Sequence, residues 1–195
     1  MEIRSKLPSK SFTGIVYKTY QTNKKYLAQD FDNRCAYCND PDKYSGGQRS
    51  FHIDHFAPRS LFPSLEFDYN NLMYSCPYCN SAKSNKWPSD SEKVSVVGNV
   101  GFLSPCENEY YKHIKRSKNG NLFYTDLLGK YIYENLALGL QRHKYIYFAD
   151  NISQRIDKLE EIMQNQNLNE ARKRVLKDLY FELLYEFYHY WKKIY

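Results

Sequence analysis

The sequence predicts an α+β fold in which a cysteine-bearing N-terminal half precedes a mostly helical C-terminal half. Two Cys-x-x-Cys pairs, at residues 35–38 and 76–79, fall in the first half. Short segments typical of β-strands occur at residues 50–54 and 71–75, between the pairs and leading into the second one. From residue 127 onward, apolar side chains recur at helical spacing. These observations predict a core over residues 1–100 and a helical region over residues 101–195, which packs on the core or binds a partner.

The remaining elements follow from local signals. A helix is expected over residues 19–31, and a second, of about two turns, from Cys79 until Trp87-Pro88 ends it. Residues 113–124 read as a hairpin with Asn119-Gly120 as a two-residue type I′ turn. A long helix is predicted over residues 127–164, with Gly139 as one of its weak points.

Composition and charge exclude several classes of protein. The 195 residues suit one compact domain or two small lobes, and 42% hydrophobic with 26% charged residues is the balance of a globular protein. No apolar run is long enough to cross a membrane, and no signal peptide is recognisable, so we expect a cytoplasmic protein. The net charge of +6 suits a polyanionic partner such as nucleic acid.

The cysteine spacing predicts a metal site. Cys35, Cys38, Cys76 and Cys79 offer two thiolates from each of two tight turns, which together complete the four-sulfur tetrahedron of a structural zinc site. A secreted disulfide framework would carry more cysteines, in an even number, whereas this chain has five. Ordinary buried or redox-active cysteines are the alternative interpretation. Such a zinc site is closed, so it would stabilise the fold and would not activate water.

Asp54 and His55, at the end of the first predicted strand, have the chemistry of a hydrolytic site. A neutral imidazole is a suitable general base at physiological pH, and a carboxylate is a hard ligand for Mg²⁺ or Mn²⁺. Adjacent residues of a strand point to opposite sides, so the chain must turn at this point if both are to share one site. Pro58, shortly afterwards, is consistent with a loop that leaves the strand.

This stretch resembles the HNH endonuclease family, the zinc-stapled branch of the ββα-metal nucleases. The family pattern is Cys-x-x-Cys, Asp-His-x-x-Pro, Asn-Leu, and Cys-x-x-Cys-His/Asn-x-x-Lys. Its elements are met in order by Cys35 and Cys38, Asp54-His55-Phe56-Ala57-Pro58, Asn71-Leu72, and Cys76-Pro77-Tyr78-Cys79-Asn80-Ser81-Ala82-Lys83. The resemblance implies a zinc-stapled ββα-metal core with flanking helices.

The resemblance also implies a role for individual residues. His55 matches the general base, and Asp54 matches one ligand of a single catalytic divalent metal, Mg²⁺ or Mn²⁺. Asn80 stands where many members carry a histidine ligand, and this departure leaves the metal preference open. Asn71 matches the asparagine that braces the loop holding the base, with Asn70 as the adjacent alternative.

Basic residues near the motif are candidates for contacts with phosphate. Lys83 lies three residues beyond Asn80 on the predicted helix, so the two would share a face. There, its ammonium could meet a phosphate and assist catalysis. Arg59 and Lys86 are the other expected nucleic-acid contacts, and His52 shares strand parity with Asp54 and could approach the same site.

The wider chain loosely resembles one HNH subgroup, the nuclease subunits of Septu-type and some retron-linked anti-phage systems. The positions that carry this resemblance are Leu103-Ser104-Pro105-Cys106, Asn119-Gly120, Leu136-Ala137-Leu138 and Arg142. Members of that subgroup pair with an ABC-like ATPase, which implies an ATPase partner. The apolar face of the last helix, which includes Tyr188 and Trp191, would complete a core or, if exposed, receive a partner subunit or a second copy of the chain.

We therefore expect a metal-dependent endonuclease, with DNA as the favoured substrate. Two alternatives remain open at this point. A non-catalytic zinc module could bind nucleic acid or a protein without cleaving anything, but it would not need Asp54, His55 and Asn80 in this order. A nuclease subunit that is inactive until an ATPase partner licenses it would cleave only when that partner is present, and its substrate could be RNA.

Overall fold

The computed structural model describes residues 1–11, 19–164 and 168–195. The chain forms two compact units, Met1–Leu140 and Gln141–Tyr195. The first unit extends beyond the boundary that the sequence suggested at residue 100. The reason is packing, because apolar residues from the later segment lie in the same core as the cysteine pairs, namely Ile114, Leu122, Ile132, Leu136 and Leu138.

The elements are short in the first unit and long in the second. The helices are α1 (Lys24–Asp30), α2 (Pro77–Lys83), α3 (Tyr110–His113), α4 (Leu127–Asn135), α5 (Gln141–Met163) and α6 (Glu170–Trp191). The strands are β1 (His52–His55), β2 (Leu72–Ser75), β3 (Val96–Val97), β4 (Val100–Gly101), β5 (Ile114–Arg116) and β6 (Leu122–Tyr124). Among the residues that the structure describes, the strands form antiparallel pairs, β1–β2, β3–β4 and β5–β6.

The segment β1–β2–α2 has the ββα arrangement that the sequence implied. In the β1–β2 ladder His52 pairs with Ser75 and His55 pairs with Leu72. Helix α2 begins directly after β2, with Cys76 as its N-cap. Pro77 occupies the first helical position, where its missing N–H has no intrahelical partner to lose. The tight connection brings the end of β1 and the first turns of α2 close together.

Two predicted elements differ in detail from the observed ones. The hairpin does not close with a two-residue turn, because the Ser117 N–H donates to the Asn121 carbonyl and leaves a three-residue loop around Asn119. Gly120 in that loop has φ of 84°, the left-handed conformation that a three-residue hairpin loop requires. The predicted helix over residues 127–164 is interrupted between α4 and α5. The backbone at Gly139 approaches the Tyr133 ring so closely that a Cβ there would lie 2.9 Å from Tyr133 Oη.

The second unit is a helical hairpin of α5 and α6. Its core is formed by Ile152, Ile156, Leu159 and Leu183. Asn169 caps α6 by accepting a hydrogen bond from the Arg172 N–H at 2.9 Å. Tyr188 and Trp191, by contrast, are 56% and 42% exposed and stack on each other. Within the described ranges, no helix is long and apolar enough to cross a membrane.

Candidate active site and cysteine cluster

A cleft of about 400 Å³ opens beside the end of β1 and the first turns of α2. It is lined by Tyr20, His52, Ile53, Asp54, His55, Pro58, Arg59, Ser60, Asn80, Ser84 and Asn85. The cleft therefore brings together the predicted base His55 and both predicted ligands of the catalytic metal, Asp54 and Asn80. The turn expected at Asp54 and His55 is absent, because strand β1 extends through His55, yet both residues line the cleft.

The four paired cysteines form a separate, fully buried cluster. The Sγ atoms of Cys35, Cys38, Cys76 and Cys79 all lie within 4.8 Å of one another, and none of the four forms a disulfide. Burial raises the pKa of the Cys38 and Cys79 thiols well above the usual value. Several thiolates therefore cannot coexist here without a cation to balance them.

The cluster has the dimensions that zinc requires. Four sulfurs at the usual Zn–S distance of about 2.3 Å would lie about 3.8 Å apart. The Sγ atoms of Cys38 and Cys76 are separated by 3.8 Å. Cys76 Sγ also accepts a hydrogen bond from the Cys79 N–H at 3.4 Å, which fixes the second pair as a tight turn at the start of α2. All four residues fit a structural zinc ion.

His55 is held in one orientation and one tautomer. Its Nε2 lies 3.0 Å from the Glu66 carbonyl oxygen. A carbonyl can only accept a hydrogen bond, so Nε2 carries the proton and Nδ1 keeps a free lone pair. The Tyr20 ring packs edge-on against the imidazole, with ring centroids 4.8 Å apart. Burial lowers the pKa of His55, which favours the neutral imidazole that a general base needs.

Asp54 is buried and is hydrogen-bonded by two residues of the first unit. Tyr37 Oη donates to Asp54 Oδ2 at 2.5 Å. The Lys83 ammonium lies 3.3 Å from Oδ1 and 3.2 Å from Oδ2, and it also donates to the His55 carbonyl at 2.9 Å. Burial raises the pKa of Asp54, while Lys83 and the hydrogen bond from Tyr37 oppose that shift. These contacts fix the carboxylate in place.

Lys83 has a different environment from the one that the sequence suggested. Its side chain is completely buried and also lies over the Phe102 ring, so in this structure it does not reach a phosphate in the cleft. A spacing of three residues puts Lys83 and Asn80 about 60° apart around the helix, and this difference is enough to send one side chain into the cleft and the other into the core. The geometry gives Lys83 contacts that orient Asp54 and the backbone of His55.

Asn80 faces the cleft at the middle of α2 and is partly exposed. None of the described residues forms a hydrogen bond with its side-chain amide, so the amide oxygen is available. Asp54 keeps lone-pair capacity on Oδ1, because a carboxylate offers about four acceptor positions and Tyr37 and Lys83 do not fill them all. One carboxylate and one amide oxygen are hard donors, and this donor set fits Mg²⁺ or Mn²⁺.

Asn71 braces the loop that follows β1. Its Nδ2 donates to the Ala57 carbonyl at 2.9 Å, and its Oδ1 accepts from the Ala57 N–H at 2.8 Å. The Asn71 carbonyl accepts a further hydrogen bond from the Phe56 N–H at 2.8 Å. The side chain thus pairs with both backbone groups of one residue in the loop directly after the base. Asn70, the adjacent alternative, is exposed.

Replacing Asn71 is expected to weaken the fold locally. In Asn71→Ala the buried N–H and carbonyl of Ala57 lose their partners, and each unsatisfied buried group costs about 1–3 kcal/mol. In urea unfolding, the free energy of unfolding of Asn71→Ala should be lower than that of the parent by an amount of that order. The free energy of unfolding of Asn70→Ala should stay within about 0.5 kcal/mol of the parent. Equal unfolding free energies for the two variants would contradict the bracing role.

The other predicted contact residues lie at or near the cleft. Arg59 lines it, pairs with Glu66 at 2.7 Å and lies over the Tyr20 ring at 5.0 Å. Lys86 is exposed just beyond α2, where its ammonium donates to the Ala82 carbonyl at 2.8 Å. His52 is exposed and also lines the cleft. All three are thus placed where a nucleic-acid backbone could reach them.

Several residues that contact the cleft residues or the cysteine cluster gave no recognisable signal in the sequence. Tyr20 and Glu66 touch His55, and Tyr37 holds Asp54. The carbonyls of the first cysteine pair are also capped from outside the motif, where Arg4 donates to Cys35 at 2.8 Å and Arg116 donates to Cys38 at 3.2 Å. None of these contacts follows from spacing, because each joins residues that are distant in sequence. Of these residues, Tyr37 had a usable sequence signal, which is its position between two predicted zinc ligands.

Comparisons with known proteins find a family match over the stretch that carries the cysteine pairs and most of the cleft. Residues 35–86 match the family model described as HNH endonuclease. The chain is 29% identical over 154 residues to Septu protein PtuB of Bacillus thuringiensis, an alignment that covers 75% of this chain and 53% of that protein. It is 22% identical over 138 residues to Septu protein PtuA of Bacillus mycoides (strain KBAB4), which covers 59% of this chain and 19% of that protein. The chain thus spans about half of the first relative and about a fifth of the second. No solved structure matches significantly.

Proposed function

We propose, on the premise that residues 35–86 are an HNH endonuclease domain, that the protein hydrolyses phosphodiester bonds of nucleic acid, with DNA as the expected substrate. The observation that carries the proposal is the convergence of His55, Asp54 and Asn80 on one cleft. A zinc module that only binds nucleic acid would not need an imidazole whose Nδ1 is left free beside two hard oxygen donors.

His55 is the general base in this proposal. The hydrogen bond from Nε2 to the Glu66 carbonyl leaves Nδ1 to accept the proton of the attacking water. The same carbonyl stabilises the imidazolium that forms, because an accepting oxygen then faces the positive ring. Tyr20 restricts rotation of the imidazole from the other side. The water attacks phosphorus in line with the leaving 3′-oxygen, which leaves 5′-phosphate and 3′-hydroxyl ends.

Asp54 and Asn80 would hold the divalent cation. A Mg²⁺ or Mn²⁺ ion bound there supplies positive charge for the phosphorane and for the leaving oxygen. Lys83 orients the Asp54 carboxylate from the buried side, and Asn71 fixes the loop behind the base. Arg59 and Lys86 are the proposed contacts to the nucleic-acid backbone. Because the described part of the chain holds one such centre, single-strand nicks should precede any double-strand break.

Metal removal tests the proposal directly. The zinc-loaded protein should nick supercoiled plasmid in Mg²⁺ or Mn²⁺, and brief EDTA treatment should abolish nicking. The zinc content is measured after the treatment, since only loss of activity with zinc retained reports on the cleft metal. As a control, added Mn²⁺ should restore nicking by the EDTA-treated protein. A folded, zinc-loaded protein that cleaves neither plasmid nor single-stranded RNA in either metal would contradict a nuclease that acts by itself.

A partner-dependent form of this activity is the second candidate, and the match to PtuB favours it. The resemblance to Septu-type nuclease subunits implies an ABC-like ATPase partner and a role in anti-phage defence, and we propose both for this chain. The expected result is metal-dependent cleavage that increases when such an ATPase is added with ATP. Full activity of the isolated chain, unchanged by the ATPase, would contradict licensing.

A further inference from the structure

Tyr37 connects the cysteine cluster to the catalytic cleft. It lies between Cys35 and Cys38 in the first pair, and its side chain is 1% exposed. Its hydroxyl donates to Asp54 Oδ2 at 2.5 Å, across 17 residues of sequence. One residue of the turn that presents two zinc ligands therefore touches the carboxylate that lines the cleft.

The position of Tyr37 is determined by several contacts within the first unit. Its carbonyl accepts a hydrogen bond from Tyr110 Oη at 3.0 Å. The preceding N–H, of Ala36, donates to the Tyr74 carbonyl on β2 at 2.7 Å. The turn is thus anchored to β2 and to α3, and the phenol has little freedom to follow Asp54 if the carboxylate moves.

A second pair in the same unit has the same chemistry but a different location. Tyr74 Oη donates to Asp42 Oδ2 at 2.6 Å, and Tyr74 is also fully buried. Asp42 does not line the cleft. The two pairs therefore separate the general effect of a buried tyrosine–carboxylate hydrogen bond from an effect on the cleft.

We propose that Tyr37 is a positioning residue: its hydroxyl, held by the zinc-binding turn, fixes the orientation of the Asp54 carboxylate and thereby sets the affinity of the cleft for its divalent cation. The Lys83 ammonium lies near both oxygens of Asp54, whereas the Tyr37 hydroxyl holds Oδ2 alone and so fixes the rotation of the carboxylate. Oδ1, with Lys83 as its one partner among the described residues, keeps more lone-pair capacity for a metal. The hydrogen bonds that orient a metal ligand commonly contribute 10- to 100-fold to metal affinity. This inference rests on the proposed function, because it takes Asp54 as a metal ligand.

The test compares Tyr37→Phe with Tyr74→Phe in the full, zinc-loaded chain. Each variant removes one hydroxyl and keeps the ring. Mn²⁺ binding is followed by the electron paramagnetic resonance signal of the free ion, and zinc content is measured on the same samples. We expect Tyr37→Phe to bind Mn²⁺ at least about tenfold more weakly with zinc unchanged. Tyr74→Phe should keep the Mn²⁺ affinity of the parent.

The outcomes separate this inference from the proposed function. If the parent binds Mn²⁺, Asp54→Ala does not, and Tyr37→Phe binds like the parent, the role of Tyr37 is overturned while the metal site stands. If Asp54→Ala binds Mn²⁺ as well as the parent does, the proposed metal site itself is wrong. Loss of zinc from Tyr37→Phe would also overturn the inference, because the hydroxyl would then support the cysteine cluster and not the cleft.

Discussion

His55→Ala is expected to reduce the rate of plasmid nicking by between about 10²- and 10⁴-fold, the range that a positioned general base contributes. The hydrogen bond from Nε2 to the Glu66 carbonyl leaves Nδ1 of this imidazole to accept a proton. Asp54 is not expected to replace it, because its remaining lone pairs are the proposed ligands of the divalent cation and Tyr37 and Lys83 occupy the others. The measurement is a nicking rate at saturating Mn²⁺.

The controls for His55→Ala address folding and chemistry separately. His189→Ala changes an exposed histidine on α6 and should leave the rate unchanged. Zinc content and the unfolding transition of His55→Ala should resemble those of the parent, since both report on the cysteine cluster. Added imidazole should restore part of the lost rate if the defect is a missing base. Nicking that survives His55→Ala undiminished would rule out this mechanism.

The cysteine cluster and the ββα segment could be predicted from the sequence because their signals are local. Two residues between paired cysteines force a tight turn, and two such turns are required for four sulfur ligands. Alternation over a few residues predicts β1 and β2, and the Cys76-Pro77 step is a strong helix start. That Asp54, His55 and Asn80 share one cleft was implied by the resemblance to the HNH endonuclease family and not by these local signals.

The burial of Lys83 could not be predicted from local sequence signals. Its position on α2 could be predicted, but hydropathy places a lysine on the surface. The structure buries it because Asp54, 29 residues earlier in the sequence, supplies a compensating charge at 3.2 Å. Such pairing depends on how two elements approach each other in the folded chain. The hydrophobic periodicity within either element gives no information about that approach. The contacts of Tyr37 with Asp54 and of Arg4 with Cys35 were missed for the same reason.

Cys76→Ser is expected to unfold the first unit, because the cysteine cluster lies inside its core and not at its edge. Cys35, Cys38, Cys76 and Cys79 belong to one buried cluster with the apolar residues of β2, α3 and α4. Zinc binding to structural sites of this kind contributes about 10–16 kcal/mol of apparent free energy, which equals or exceeds the whole stability of a typical domain. Cys76 also caps α2, so its loss affects the helix that presents Asn80.

Zinc stoichiometry and circular dichroism on Cys76→Ser, with Cys106→Ser as the matched control, measure this effect. Cys106 is a half-buried free thiol outside the cluster, so Cys106→Ser should keep its zinc and its unfolding transition. Chelation of zinc from the parent should reproduce the Cys76→Ser spectrum, since both remove the same centre. A Cys76→Ser protein without zinc that unfolds like the parent would mean that the apolar core alone holds the first unit. The geometry argues against that result, because the four sulfur atoms lie within 4.8 Å of one another at the centre of the core, where a zinc ion would join the two cysteine pairs.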